Sequence, residues 1–157
     1  NLYVVNGKSA DDPAFAKKLE WLDAIHDWLE TQHDPDLPLV LGGDINIAPE
    51  ARDVWDVEQW AGSVHFHPQE HARLKKWMDW GMTDLFRQHH EGDGLYSWWD
   101  YRRGAFGRGW GLRIDLLLAT QAVSKTCIEA GIDRNERKKG DWEAKPSDHA
   151  PVWAVLS

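Results

Sequence analysis

Gly43-Asp44-Ile45-Asn46 places a carboxylate and an amide two residues apart where a short apolar run ends. Side chains two apart on an extended chain share one face. A carboxylate there can position or deprotonate a water, or help to hold a hard divalent cation. An amide beside it can donate to a phosphate oxygen. The same residue types are common in plain turns, so this string alone leaves both readings open. Asp115 is the sharper signal, because it interrupts Leu112-Arg113-Ile114-Asp115-Leu116-Leu117-Leu118. Asp is disfavoured in strands and rarely buried without a partner, so something must compensate its charge. A histidine or a metal would make it functional, and an ion pair with Arg113 or another base would make it structural.

Ser147-Asp148-His149 is the third element, just before a last apolar run. A histidine at a strand mouth acts as a general base or stabilises charge if a carboxylate orients its ring. Asp115 is a candidate for that orienting role, and Asp148 could reach a metal directly or through water. The chain has 8 histidines, so one taken at random carries little weight. His65, His67, His71, His89 and His90 are read as structural or solvated. His65 and His67 lack a matching Cys or His pair for a zinc site. The fourth element is the stretch 98–113, where Trp98, Trp99, Tyr101, Phe106 and Trp110 interleave with Arg102, Arg103, Arg108 and Arg113. Asp100 is its one acid, a local reversal of sign in a chain of net charge −8. Arginines among aromatics suit a phosphate backbone and exposed base faces, although some of these rings must serve the core.

The elements that must position these groups are legible as patterns. Asp11-Asp12-Pro13 supplies an N-cap and a proline for the first helical position, and Phe15, Leu19, Leu22, Ile25 and Leu29 follow at helical spacing. They predict an amphipathic helix over 13–32. A second helix is expected over 68–79, closed by Gly81. Strands are expected over 2–5, 39–41, 95–99, 114–119, 125–131 and 151–156, with loops over 102–111 and 134–145. Strands and helices mix without strict alternation. The expected class is therefore α/β (α+β), with layers packed around a mostly antiparallel or mixed sheet.

Bulk properties narrow the choice. The 157 residues suffice for one domain with a real core, and no stretch is long and apolar enough to span a bilayer. Cys127 is the one cysteine, so an intrachain disulfide is excluded and a reduced, cytoplasmic setting is expected. The acidic balance speaks against a generic nucleic-acid coat protein but not against an enzyme that gathers carboxylates at a metal. Asn1-Leu2-Tyr3-Val4-Val5 reads as the middle of a strand, which leads to the expectation of a fragment or processed product.

Five strings in order resemble the exonuclease III / AP endonuclease family of the endonuclease/exonuclease/phosphatase superfamily. They are Leu2 to Gly7, Gly43 to Pro49, Ser97 to Arg102, Gly111 to Ala119 and Ser147 to Val152. The resemblance implies the C-terminal half of a four-layered α/β sandwich. It also implies Mg²⁺-dependent (or Mn²⁺-dependent) hydrolysis of phosphodiesters in double-stranded DNA, at abasic sites and 3′ ends. By that resemblance Tyr3 contacts the scissile phosphate, and Asp44 aligns or deprotonates the attacking water. Asn46 binds the phosphate and orients Asp44, Asp115 orients His149, and Asp148 lies at or near the metal with Asp44 and Asn46. Trp98 lines the pocket for an abasic sugar, and Arg102, Arg103, Arg108 and Arg113 are expected against DNA. The family's principal metal-ligating glutamate belongs to an N-terminal half with no counterpart before Tyr3. Two alternatives follow. One is a phosphatase or phosphodiesterase of the same superfamily. The other is a catalytically silent half that binds DNA.

Overall fold

The computed structural model describes residues 1–138, 140 and 144–157. The first long helix, α1 (Pro13–Gln32), begins where its cap predicts: the Asp12 carboxylate accepts a hydrogen bond from the backbone N–H of Ala14 at 2.8 Å. The helix α3 (Pro68–Trp80) is capped by His67, with Glu70 reaching back to the His67 N–H, and ends on Gly81 at φ +136°. Short helices α2 (Val57–Trp60), α4 (Ala105–Arg108) and α5 (Gln121–Ser124) fill connections between these and the strands.

The main sheet is four-stranded in the order β1-β2-β4-β3. Here β1 is Leu2–Tyr3, β2 is Val40–Asp44, β3 is Met82–Asp84 and β4 is Asp115–Thr120. β1 runs parallel to β2, and the other pairs are antiparallel, so the sheet is mixed. A second, two-stranded antiparallel sheet joins β5 (Cys127–Ile132) to β6 (Val152–Leu156). The period of two along β4 sorts its residues. Leu116 and Leu118 face α1 and α3 in a core with Leu19, Leu22, Leu74 and Trp77. Leu117 and Ala119 face the other way, onto Val123, Cys127, Ala130 and Ala154. Asp115 shares that second face. No helix of the described residues is long and apolar enough to cross a membrane.

The structure departs from the expected elements at several places, among them the loop expected over 102–111, which holds helical turns at Arg102–Gly104 and Ala105–Arg108. Residues 95–99 form no strand; Trp98 makes only isolated bridges, to Leu112 and to His149. The segment is nevertheless pinned on both sides, with the Trp98 N–H on Leu112 O at 2.9 Å and the Ala150 N–H on Ser97 O at 2.7 Å. β3 was not expected, because Met82-Thr83-Asp84 is too short and polar to signal a strand. The polar loop expected over 134–145 opens as a helical turn at Arg134–Arg137. The rest of that expectation lies partly outside the described residues.

Candidate active site

Sheet register gathers the acids. Tyr3 stands opposite Asp44 across β1 and β2, and Asp44 stands opposite Asp115 across β2 and β4. The three form a row at one end of the sheet, and Tyr3 is 67% exposed at the edge of that row. Gly43 permits the close pairing: at φ +136° a Cβ there would collide with the Leu2 carbonyl oxygen. Past Asp44 the chain turns at Asn46, whose φ of +55° is unusual for a side-chain-bearing residue but tolerated by asparagine.

That turn is held from several sides. The Asn46 backbone N–H donates to Asp44 Oδ1 at 2.9 Å, and its side-chain amide donates to Asp44 Oδ2 at 3.0 Å and to Val4 O at 2.8 Å. Lys18, wholly buried and paired with buried Glu70, donates its Nζ proton to Asn46 O at 2.7 Å. His65 Nδ1 lies 2.8 Å from the same carbonyl. A carbonyl only accepts, so the His65 proton sits on Nδ1, and Nε2 is left to accept from the Asn6 amide at 3.3 Å. Burial, together with the charge of Lys18, lowers the His65 pKa to about 4. Asn6, Lys18 and His65 thus support the Asp44–Asn46 turn. Only Asn6 had any sequence signal, its place in the Leu2–Gly7 string.

The neutral ring of His65 carries a stability consequence. Its folded pKa lies below the ordinary value of 6.5. The unfolded chain therefore binds the extra proton first as the pH falls, and stability declines between pH 6.5 and about 4. The shift corresponds to about 3 kcal/mol, fully lost only below the folded pKa. His65→Asn keeps a residue tolerant of positive φ and removes the titration. Urea melts from pH 7 to pH 4.5 should show the substituted protein losing less stability than the parent over that window. Parallel pH dependences would show that the ring is not buried in neutral form.

Asp115 meets His149, not Arg113. His149 Nδ1 lies 2.8 Å from Asp115 Oδ2 and 3.0 Å from Oδ1, and the Ser97 hydroxyl donates to Oδ2 at 2.6 Å. Ser97, in turn, accepts from the backbone N–H groups of Ile114 and Asp115 at 3.1 Å each. With Nδ1 committed to Asp115, the Nε2 of His149 is the ring nitrogen left to act. Burial pulls the His149 pKa down. The hydrogen bond and charge of Asp115, with help from Asp44 and Asp148, outweigh it, and the net shift is upward. Asp44 moves upward as well, to about 6, because burial and the negative charge of Asp115 both penalise its ionised form. A carboxylate with that value is ionised at neutral pH yet basic enough to take a proton. Asp148 is fixed by the indole N–H of Trp98, which donates to its Oδ2 at 3.0 Å.

Arg102, Arg103 and Arg108 are exposed. Arg113 is corrected: it is 0% exposed, with Nε on Asp53 Oδ1 at 2.6 Å and NH1 2.8 Å from Asp84 Oδ2. Two buried carboxylates claim the guanidinium, so it cannot reach a ligand. Trp99 is also fully buried, whereas Trp98 and Trp110 line a cavity next to the site. Among the described residues no three His, Cys, Asp or Glu converge as a metal cage. An Mg²⁺ ion does not require one, since it commonly binds through one or two carboxylates, water and substrate phosphate. The mutual repulsion of Asp44 and Asp115 is the kind of local field that a cation would relieve.

Exodeoxyribonuclease III of Haemophilus influenzae is 34% identical over 162 residues, covering 98% of this chain and 59% of that protein. A 3′ phosphatase from Neisseria, solved with a product DNA hairpin, superposes with a TM-score of 0.90 at 38% identity, over 100% of this chain and 60% of that one. An AP endonuclease from Archaeoglobus fulgidus superposes with a TM-score of 0.91 at 34% identity, over 99% of this chain and 60% of its own. The chain therefore spans about 60% of the length of these relatives. The model of the Endonuclease/Exonuclease/phosphatase family matches residues 2–149, nearly the whole chain and every residue of the site, and the chain belongs to that family.

Proposed function

We propose that this chain carries the catalytic acid–histidine half of a metal-dependent DNA hydrolase that acts at 3′ ends and abasic sites in repair. The observation that carries the reading is Asp115, which holds His149 at 2.8 Å while standing opposite Asp44 across the sheet. One carboxylate thus orients a histidine next to a second carboxylate whose pKa is raised into the range of a working base. The exposed Arg102, Arg103 and Arg108 beside indoles favour a polyanion with bases over a lipid or inositol phosphate.

In this reading Asp44 aligns a water and takes its proton as the oxygen attacks phosphorus in line. The P–O3′ bond breaks, and the 3′ oxygen leaves with the electron pair and takes a proton from solvent water to become a 3′ hydroxyl. Asn46 keeps Asp44 oriented through two hydrogen bonds. His149, through Nε2, stabilises charge on the phosphate, and Tyr3 meets the phosphate from the exposed end of the row. Asp148 and Asp44, with Asn46 nearby, are the oxygen donors for Mg²⁺ or Mn²⁺. The bound ion would neutralise phosphate charge. Trp98 borders the seat of the sugar. A partner half of the same fold is proposed to complete the metal site and to cover the apolar side chains exposed on the strands, such as Val40, Val155 and Leu156. The free, buried Cys127 fits a reducing compartment such as the cytoplasm.

The test is incubation with one duplex carrying an abasic site and another with a recessed 3′ end, each with Mg²⁺ and with chelator. Metal-dependent cleavage is expected, and Asp44→Ala should lower its rate by about a hundredfold or more. Cleavage that survives both the chelator and Asp44→Ala would rule the assignment out.

A further inference from the structure

Asn46 is the side chain that keeps Asp44 aimed, and its own amide protons are spent in doing so. They go to Val4 O and Asp44 Oδ2, which leaves Oδ1 turned toward Asn6. The Asn6 amide is fixed in sense by a backbone group. Its Oδ1 accepts the Lys8 N–H at 3.0 Å, so its NH₂ end faces inward. From there it reaches Asn46 Oδ1 and His65 Nε2, at 3.3 Å each. Both contacts are long, and Asn6 is an exposed residue for which water competes. Either contact alone is a weak hold. His65, by contrast, is 6% exposed and pinned twice: Nδ1 lies 2.8 Å from Asn46 O, and its own carbonyl accepts the Ala48 N–H at 2.8 Å. It stands at φ +79°, an uncommon backbone for a residue with a side chain. His65 is the rigid member of the set.

The geometry points to His65 as a positioning residue for the reaction: its Nε2 holds the Asn6 amide against Asn46 Oδ1, and so fixes the end that Asn46 turns to Asp44. The sense of each bond follows from the Asn46 carbonyl. That carbonyl can only accept, so Nδ1 carries the proton and Nε2 must accept. Asn6 must then donate, and it meets Asn46 at its oxygen. Without the Nε2 acceptor the exposed Asn6 amide turns to water, and Asn46 Oδ1 loses the donor that faces it. The inference rests on the DNA-hydrolase reading, since it assigns His65 to the alignment of Asp44 for attack and not to the stability of the turn alone.

Asparagine and glutamine separate the two ring nitrogens. His65→Asn keeps a donor at the place of Nδ1 and has nothing at the place of Nε2. His65→Gln reaches the place of Nε2 with an amide oxygen and gives up the donor, which Lys18 still supplies to the Asn46 carbonyl. The experiment uses the full-length protein with Mg²⁺ and a duplex carrying an abasic site. At saturating enzyme the single-turnover rate should fall roughly 3- to 10-fold in His65→Asn, the worth of one hydrogen bond, and stay within about twofold of the parent in His65→Gln. Melting temperatures should run the other way, because asparagine tolerates positive φ better than glutamine. Duplex affinity in chelator should be parental in both. If either variant fails to fold, the parent protein with ¹⁵N-labelled histidine decides. Its His65 ring should carry the proton on Nδ1 and leave Nε2 bare, and a proton on Nε2 overturns the positioning role. Rates that follow the order of the melting temperatures, or a parental rate in His65→Asn, also overturn it and leave the DNA reading standing. A parent protein without metal-dependent cleavage overturns both.

Discussion

His149→Ala in the full-length protein is expected to lower kcat on a cleavable duplex by about 10²- to 10⁴-fold, while duplex affinity changes little. His149 is the ring that the fold has taken most trouble to orient. Asp115 receives its Nδ1 at 2.8 Å, Ser97 receives two backbone N–H groups and donates to the same carboxylate, and the Ser147 hydroxyl accepts the His149 backbone N–H at 3.1 Å. Three chain segments converge to fix one imidazole, and such a cost makes sense where Nε2 must be aimed. Asp115→Asn should come close to the same loss, because an amide presents its oxygen or its NH₂ to Nδ1 and no longer fixes the tautomer. Ser97→Ala should cost less, since the carboxylate keeps its charge. Single-turnover rates at saturating enzyme separate these losses from binding. An unchanged rate for His149→Ala would remove the histidine from the chemistry and leave the Asp115 pair as packing.

What the sequence disclosed and what it withheld follow from the range of the forces involved. The helix over 13–32 was legible to the residue, because its cap, its proline and its apolar stripe are all local. The acids at 44 and 115 were legible as candidates because a charge inside an apolar run demands an explanation. Their alignment was not, since register pairs residues far apart in the chain. The 98–113 stretch shows the limit within a single segment. Trp98 and Trp99 are adjacent, and the extended backbone sends one toward the site and the other into the core. Composition alone cannot separate them. His65 is read from sequence as structural or solvated, and the fold makes it structural, but its post at the Asp44–Asn46 turn was not legible. Its role depends on a positive φ and on a carbonyl of a distant turn, and neither leaves a trace in its neighbours.

Arg113 was misread for the same reason, and it carries the largest expected effect on stability. By sequence it ends a basic stretch. In the fold it is the hub of a buried ion network, bidentate on Asp53 (2.6 and 3.1 Å) and paired with Asp84, while Arg87 also meets Asp53. Asp53 is itself fully buried. Removing the guanidinium leaves buried Asp84 without its cation and Asp53 with Arg87 alone, a loss of about 3–5 kcal/mol. For a domain of this size the melting temperature should fall by roughly 6–20 °C. Arg113→Met combined with Asp84→Asn should recover part of that loss, because the uncompensated carboxylate leaves while Asp53 keeps Arg87. Arg103→Ala is the contrast: its exposed side chain should leave the melt unchanged and flatten the salt dependence of DNA binding by about one phosphate contact. Thermal melts and salt titrations on the two single variants read these outcomes directly. An Arg113→Met protein that melts normally but binds DNA weakly would return Arg113 to the DNA surface. A variant with a lowered melting temperature and parental salt dependence would place it where the ion network does, holding Ile114 and Asp115 in register behind the site.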